Sequence, residues 1–213
     1  FYNLIINKTS ADQIQATSPV PFVPREYEPP VDLPLANSII LNGNTIINGN
    51  LTIQNGSLSA GNYTINIAGN WDNQVGLLAF SEGTSTVIFN GATGSDILSS
   101  ETFYNLEVNK THPSFEDLEL FYDVACNNLD ILNGTIEINN PANLFIDGNL
   151  NIALGAGLNA NDYFGLHVQV AGNWTNSNSM HDFYQGFDPG YSTVSINGST
   201  DQTLTTSAPS EEF

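Results

Sequence analysis

The sequence predicts an all-β protein of the β-solenoid (β-helix) class, built from two imperfect repeats of about 100 residues. Three observations carry this expectation. Motifs recur in a fixed order about 100 residues apart, apolar residues alternate in short runs, and Asn-Gly or lone Gly punctuates those runs every few residues. The first repeat is expected over 1–102 and the second over 103–213, with a proline-rich insertion at 18–35 in the first. Tandem immunoglobulin-like sandwiches are the competing fold, because each period has the length of one such domain.

Along the chain, "FYNLIINKT" at Phe1 returns as "FYNLEVNKT" at Phe103, an offset of 102 residues. "NGNLTI" at Asn48 returns as "DGNLNI" at Asp147, offset 99, and "IAGNWDN" at Ile67 as "VAGNWTN" at Val170, offset 103. "GTSTVIFNG" at Gly83 returns as "GYSTVSING" at Gly190, offset 107. Kept order with drifting offsets is the mark of duplication followed by small insertions. Phe213 falls where a third FYNL is due, so the sequence reads as two periods of a longer repeating object.

Between the motifs the texture is that of strands. "YTINIAG" places Tyr63, Ile65 and Ile67 on one face, and "LHVQVAG" does the same with Leu166, Val168 and Val170. "SFEDLELFYDVA" offers a helix cap at Ser114, but the alternation of Leu118, Leu120, Tyr122 and Val124 favours a strand. Asn-Gly pairs at 42–43, 48–49, 55–56, 90–91, 133–134 and 197–198 suit tight turns that need positive φ. Gly43, Gly49, Gly56 and Gly61 follow one another at 5 to 7 residues, denser than the 8–12 residues of a sandwich, which fits coils of about 20–25 residues, each rising about 4.8 Å. The resulting rod would be about 40–50 Å long and held by nearest-neighbour stacking. Residues 18–35 hold six of the ten prolines and the only arginine, which marks an extended excursion from the coils.

Charge excludes several function classes. Against 22 acidic residues stand 3 basic ones, for a formal net charge of −19, so neither nucleic acid nor anionic lipid is an expected partner. Such a surface suits high salt, an extracellular setting or divalent cations. Cys126 is the only cysteine, which rules out an intrachain disulfide. No apolar run reaches the length of a membrane-spanning helix.

The order STVIFNG, FYNLEVNKT, LDILNGTIEI, GNLNI, VAGNW resembles the tandem FNG–FYNL–NGTL–GNW units of long secreted surface proteins of Bacteroidota-type bacteria. The resemblance covers nearly the whole chain twice, apart from the proline segment. It implies an exported adhesin, sheath or filament component at the cell surface, and it supplies no catalytic residues to carry over.

Candidate sites follow from residue chemistry. Calcium is the one inorganic cofactor the composition suits, with Asp182 and Asp188 in one acidic turn and Glu116, Asp117 and Asp123 in another; no organic cofactor is expected. The pairs Glu116/Asp117 and Asp182/Asp188 could do acid–base work on a polysaccharide, but a lyase also needs cations to hold an acidic sugar, and Arg25 stands alone. The chain is therefore not expected to be an enzyme. His112, His167 and His181 lack a second ligand at metal-binding spacing and read as surface histidines. Trp71 and Trp174, at equivalent positions like Tyr2 and Tyr104, are expected as stacked aromatics of the core or its edge, or else as sugar platforms. Lys8 and Lys110 close the two FYNLxxNK motifs on the parity of the apolar residues, which turns the lysine inward toward a carboxylate or carbonyl. Eight N-x-Ser/Thr sequons matter only in a host that glycosylates asparagine.

The expected function is that of a structural, secreted module of a surface fibre, filament, sheath or adhesin. It would continue covalently into further repeats or associate end to end, with Phe1, Phe213, Phe22, Arg25 and Tyr27 as contact residues. A display module offering residues 18–35 and 176–190 to glycans or cells is the second reading, and a polysaccharide-active β-helix the third.

Overall fold

The computed structural model describes residues 1–8, 37–111, 117–139, 141–160, 165–179 and 185–207. It is a β-solenoid of about seven turns, in which every described ladder is parallel. Parallel ladders exclude the two antiparallel sheets of an immunoglobulin-like sandwich. Among the described residues the only helix is a single 3-10 turn, Leu77–Ala79.

Each turn meets three faces. The first row holds β1 (Leu4–Asn7), β2 (Ser38–Ile40) and β3 (Thr45–Ile47), and the second β4 (Leu51–Asn55), β5 (Ser57–Ser59) and β6 (Thr64–Ile67). The third holds β7 (Trp71–Asn73), β8 (Phe80–Ser81) and β9 (Thr86–Gly91). In the fourth and fifth rows a short strand, β10 (Ser95–Ile97) or β12 (Leu118–Leu120), precedes a long one, β11 (Glu101–Lys110) or β13 (Val124–Asn133). The sixth row is β14 (Thr135–Ile138), β15 (Leu144–Ile146) and β16 (Leu150–Ile152). The seventh is β17 (Gly157–Asn159), β18 (His167–Val170) and β19 (Trp174–Asn176), and the last β20 (Gly186–Asp188), β21 (Thr193–Ile196) and β22 (Leu204–Thr206).

The first face is the eight-stranded sheet β1-β4-β7-β10-β12-β14-β17-β20. The second stacks β2, β5 and β8, then the front halves of β11 and β13, then β15, β18 and β21. Where β8 hands over to β11, the rings of Phe80 and Phe103 meet at 5.9 Å. The third face runs β3, β6, β9, the back halves of β11 and β13, then β16, β19 and β22.

The two long strands turn a corner without leaving the ladder. Strict alternation breaks once in each: Tyr104 and Asn105, and Asn127 and Asn128, both point away from the core between buried neighbours. Two successive outward residues reset the phase, so Phe103 and Leu106 are both buried although they are three apart. This corrects the expected parity of the FYNL motif, in which Phe103 rather than Tyr104 enters the core. Tyr2 is exposed. Inside, one column of Leu, Ile, Val, Phe and Trp side chains runs the length of the described rod, with Leu51, Ile65, Trp71, Val87, Leu129, Ile152, Val168 and Trp174 fully buried.

The second repeat does not continue the first face by face. Trp71 and Leu51 lie on the first face, while their counterparts Trp174 and Leu150 lie on the third. Val87 lies on the third face and its counterpart Val194 on the second. Each repeat is thus turned by one third about the axis relative to the one before. The repeats also differ in turns. Leu4 pairs directly with Leu51, whereas Leu106 pairs with Leu129 and only then Leu129 with Leu150. Among the described residues the second repeat therefore contains one coil, β12 with β13, that has no counterpart between the rows of the first.

Candidate functional site: the corners and the repeat junction

Corners are held by asparagine ladders. Asn3 Oδ1 accepts the Asn50 backbone N–H at 2.8 Å, Asn50 Oδ1 that of Asn70 at 2.9 Å, and Asn70 Oδ1 that of Asp96 at 3.0 Å. The second repeat builds the same ladder: Asn128 to Asn149 at 3.0 Å, Asn149 to Asn173 at 2.9 Å, Asn173 to Thr203 at 2.8 Å. A second corner repeats the device through Asp123, Asn143 and His167. Each bond satisfies a backbone donor that the bend removes from the sheet, at a net gain of about 1 kcal/mol.

A glycine precedes four of the ladder asparagines, Asn50, Asn70, Asn149 and Asn173, and makes the corner possible. A Cβ on Gly69 would strike the Gly49 carbonyl, and one on Gly172 the Gly148 carbonyl, because successive corners touch backbone to backbone. The sequence signal was thus Gly-Asn as much as Asn-Gly. Of the six Asn-Gly glycines, only Gly56, Gly91 and Gly134 take positive φ. Gly172→Ala is expected to destabilise the protein by about 1–3 kcal/mol through overpacking. Gly43→Ala, with nothing within 4 Å of the added carbon, should stay within about 0.5 kcal/mol. Urea midpoints of the two variants check the contrast.

Two buried polar centres mark the junction between repeats. Glu101, fully buried at the start of β11, accepts hydrogen bonds through Oε2 from Trp71 Nε1 and Asn73 Nδ2, both at 2.9 Å, and through Oε1 from the Thr102 N–H at 3.1 Å. Burial outweighs these donors and pushes its carboxyl up to about 8. Trp71 meets Phe80 and Phe103 edge-on, with centroids at 4.7 and 5.2 Å. Its counterpart Trp174 meets Phe187 the same way at 4.9 Å. Both indoles are fully buried, which removes them as sugar platforms.

At the other end of β11, Lys110 is 1% exposed. Its ammonium donates to the Asn90 carbonyl at 3.0 Å, to Ser95 Oγ at 2.6 Å and to the Ala68 carbonyl at 3.4 Å. Of the two expected partners it takes carbonyls. Burial lowers it to about 8 against the opposing charges of Asp117 and Asp96. A lowered pKa means the unfolded chain holds the proton longer, so stability should rise as pH climbs from about 8 to about 10.5. Lys110→Met is expected to flatten that rise in urea titrations at fixed pH values. Lys8, at the same motif position, is exposed just after edge strand β1, and no described strand lies beyond that edge.

The acidic calcium candidates are drawn into backbone contacts. Asp117 Oδ2 accepts the Thr135 N–H, Asp123 Oδ1 caps Asn143, and Asp188 Oδ1 accepts the Gly190 N–H. Among the described residues no three His, Cys, Asp or Glu side chains converge on a point fit for a metal ion. Glu116, Asp182, Phe22, Arg25, Tyr27, Phe213, His112 and His181 lie outside the described residues. His167 is half-buried, with Nε2 at 2.7 Å from Ser195 Oγ and its ring edge-on to Phe145. Cys126 is buried, and burial pushes its thiol up, away from reactivity. Phe1 is exposed, and its amino group donates to the Ile46 carbonyl at 2.8 Å.

Sequence reasoning missed Glu101 and Asn73. A signal existed: Glu101 stands two residues before Phe103, and Glu211 two before Phe213. No family model, curated protein or solved structure matches the chain. No described helix is long and apolar enough to cross a membrane.

Proposed function

We propose that the protein is a structural module of an extracellular fibre, filament, sheath or adhesin, whose task is to be long and stiff. The observation that carries this reading is the stack, whose first and third faces run unbroken through every described row. The apolar core and the β9–β11–β13 ladder run through the junction between the repeats, and corner asparagines and close-packed glycines recur on either side of it, so each coil is fixed by its neighbours. A net charge of −19 suits a surface exposed to salt and divalent cations outside the cell. The FYNL and GNW motifs, similar to those of secreted Bacteroidota-type surface proteins, favour the same placement.

Immunogold labelling of intact cells of the source organism, with antibody against the folded module, tests the placement. Linear arrays of label without permeabilisation are expected. Label that appears only after lysis would overturn the extracellular reading.

A further inference from the structure

We propose that Asn133 is a site of covalent modification, the Asn-Gly pair at which the folded protein closes a succinimide ring and passes to aspartate or isoaspartate. The reactants are the chain itself and water. The Gly134 backbone nitrogen, on losing its proton, bonds to the carbonyl carbon of the Asn133 side chain. The bond from that carbon to Nδ2 breaks, and ammonia leaves. Water then opens the ring at one carbonyl or the other, so one water is consumed for each ammonia released. Glycine favours the closure because no Cβ obstructs its nitrogen.

Six Asn-Gly pairs stand in the sequence. Asn42, Asn48 and Asn197 lie in the first and last described rows, which leaves Asn55, Asn90 and Asn133 with described rows on both sides. Closing the ring requires a side chain free to swing over the next nitrogen. Asn55 is held, since its Nδ2 donates to Asn7 Oδ1 at 2.8 Å. Asn90 is held twice. Its Nδ2 donates to Asn66 Oδ1 at 3.2 Å, and its carbonyl accepts the Lys110 ammonium at 3.0 Å. Gly91, which follows it, lies inside β9 opposite Lys110.

Asn133 is different. It is the last residue of β13 and exposed, and among the described residues nothing bonds to its side-chain amide. No described acceptor takes the Gly134 N–H, which stands between β13 and β14 at a φ of 93°. The ladder with β11 also slips here: Val108 meets Ile131 but Asn109 meets Asn133, leaving Leu132 over. Asn55 sits at a similar slip, so the bond to Asn7 is what separates the two.

Conversion would be felt locally. Gly134 packs against buried Asp117, whose Oδ2 lies 2.8 Å from the place of an added Cβ and accepts the Thr135 N–H. A carboxylate at 133 brings like charge toward that acid. Isoaspartate also lengthens the main chain where β13 gives way to β14.

Peptide mapping of the folded protein, kept at pH 8 and sampled over weeks, tests this. The Asn133 peptide is expected to gain the mass that separates Asp from Asn and to accept methyl groups from an isoaspartate methyltransferase. It should do so about tenfold faster than the Asn55 and Asn90 peptides, because each of those must first break a hydrogen bond. In concentrated urea the three rates should converge, since glycine follows all three asparagines. The rate at Asn133 in the fold should climb from pH 6 to pH 8, as loss of a backbone proton requires, and Asn133→Gln should abolish the methyl label on that peptide. Equal rates at the three sites in the fold, a difference that persists in urea, or an Asn133 that converts in urea and not in the fold would each overturn the proposal.

Discussion

Stability is expected to fall as pH rises from about 4.5 to about 8, and the fall should be much shallower in Glu101→Gln. Burial raises the Glu101 carboxyl, so the folded state keeps a proton that the unfolded chain has already released. Below about 4.5 both states are protonated and the burial penalty is absent; above about 8 both are ionised and the penalty is complete. A shift of this size corresponds to on the order of 5 kcal/mol across the window, at about 1.4 kcal/mol per unit. Other carboxylates also titrate, and rising negative charge on an acidic surface adds its own repulsion. The difference between wild type and Glu101→Gln isolates the buried group. Urea unfolding followed by tryptophan fluorescence at half-unit pH steps measures it. Parallel profiles for the two proteins would show that Glu101 is ionised in the fold and that the donors of Trp71 and Asn73 outweigh burial.

The second large effect concerns Trp71. Trp71→Ala is expected to cost about 3–5 kcal/mol, since it removes the ring that packs edge-on against both Phe80 and Phe103 at the repeat junction. Trp71→Phe keeps most of the packing but strips the N–H donor from Glu101, for an expected loss of about 1–3 kcal/mol. The Phe variant should also push the Glu101 carboxyl higher and extend the pH-dependent fall beyond pH 8. Urea midpoints at pH 5 and pH 8 separate the two contributions. Packing loss is the same at both, whereas the loss of the donor grows as the carboxylate ionises. Equal losses for Ala and Phe at pH 8 would mean that the hydrogen bond, not the ring, holds the junction.

The strands were legible because inward and outward residues obey a period of two that no long-range contact alters. Ile65, Ile67, Val168 and Val170 are buried as their spacing implies. Corners were less legible. Tyr104 and Asn105 break the alternation inside an unbroken strand, and nothing local distinguishes that step from a continued period. The Glu101 network was hidden for a different reason. Its donors stand 28 and 30 residues away, one row earlier, and only the coil length brings them together. The one-third rotation between repeats was also beyond the sequence, because residue offsets near 100 do not reveal how many turns those residues make. The lysine pattern was half legible: parity turns Lys110 inward, but parity alone leaves out that no described strand lies beyond β1 to receive Lys8.

The extra coil formed by β12 and β13 has a consequence for how such a chain changes length. Within the described rows a whole coil adds one row to every face and leaves the order of faces untouched, so the strands on either side meet their neighbours as before. A shorter segment is absorbed at a corner instead: one circuit takes 20 residues from Leu51 to Trp71 and 30 from Trp174 to Leu204, and the strands keep their faces. Length in this architecture is therefore quantised. Insertions and deletions change the length of the rod only in steps of one circuit, about 4.8 Å at a time.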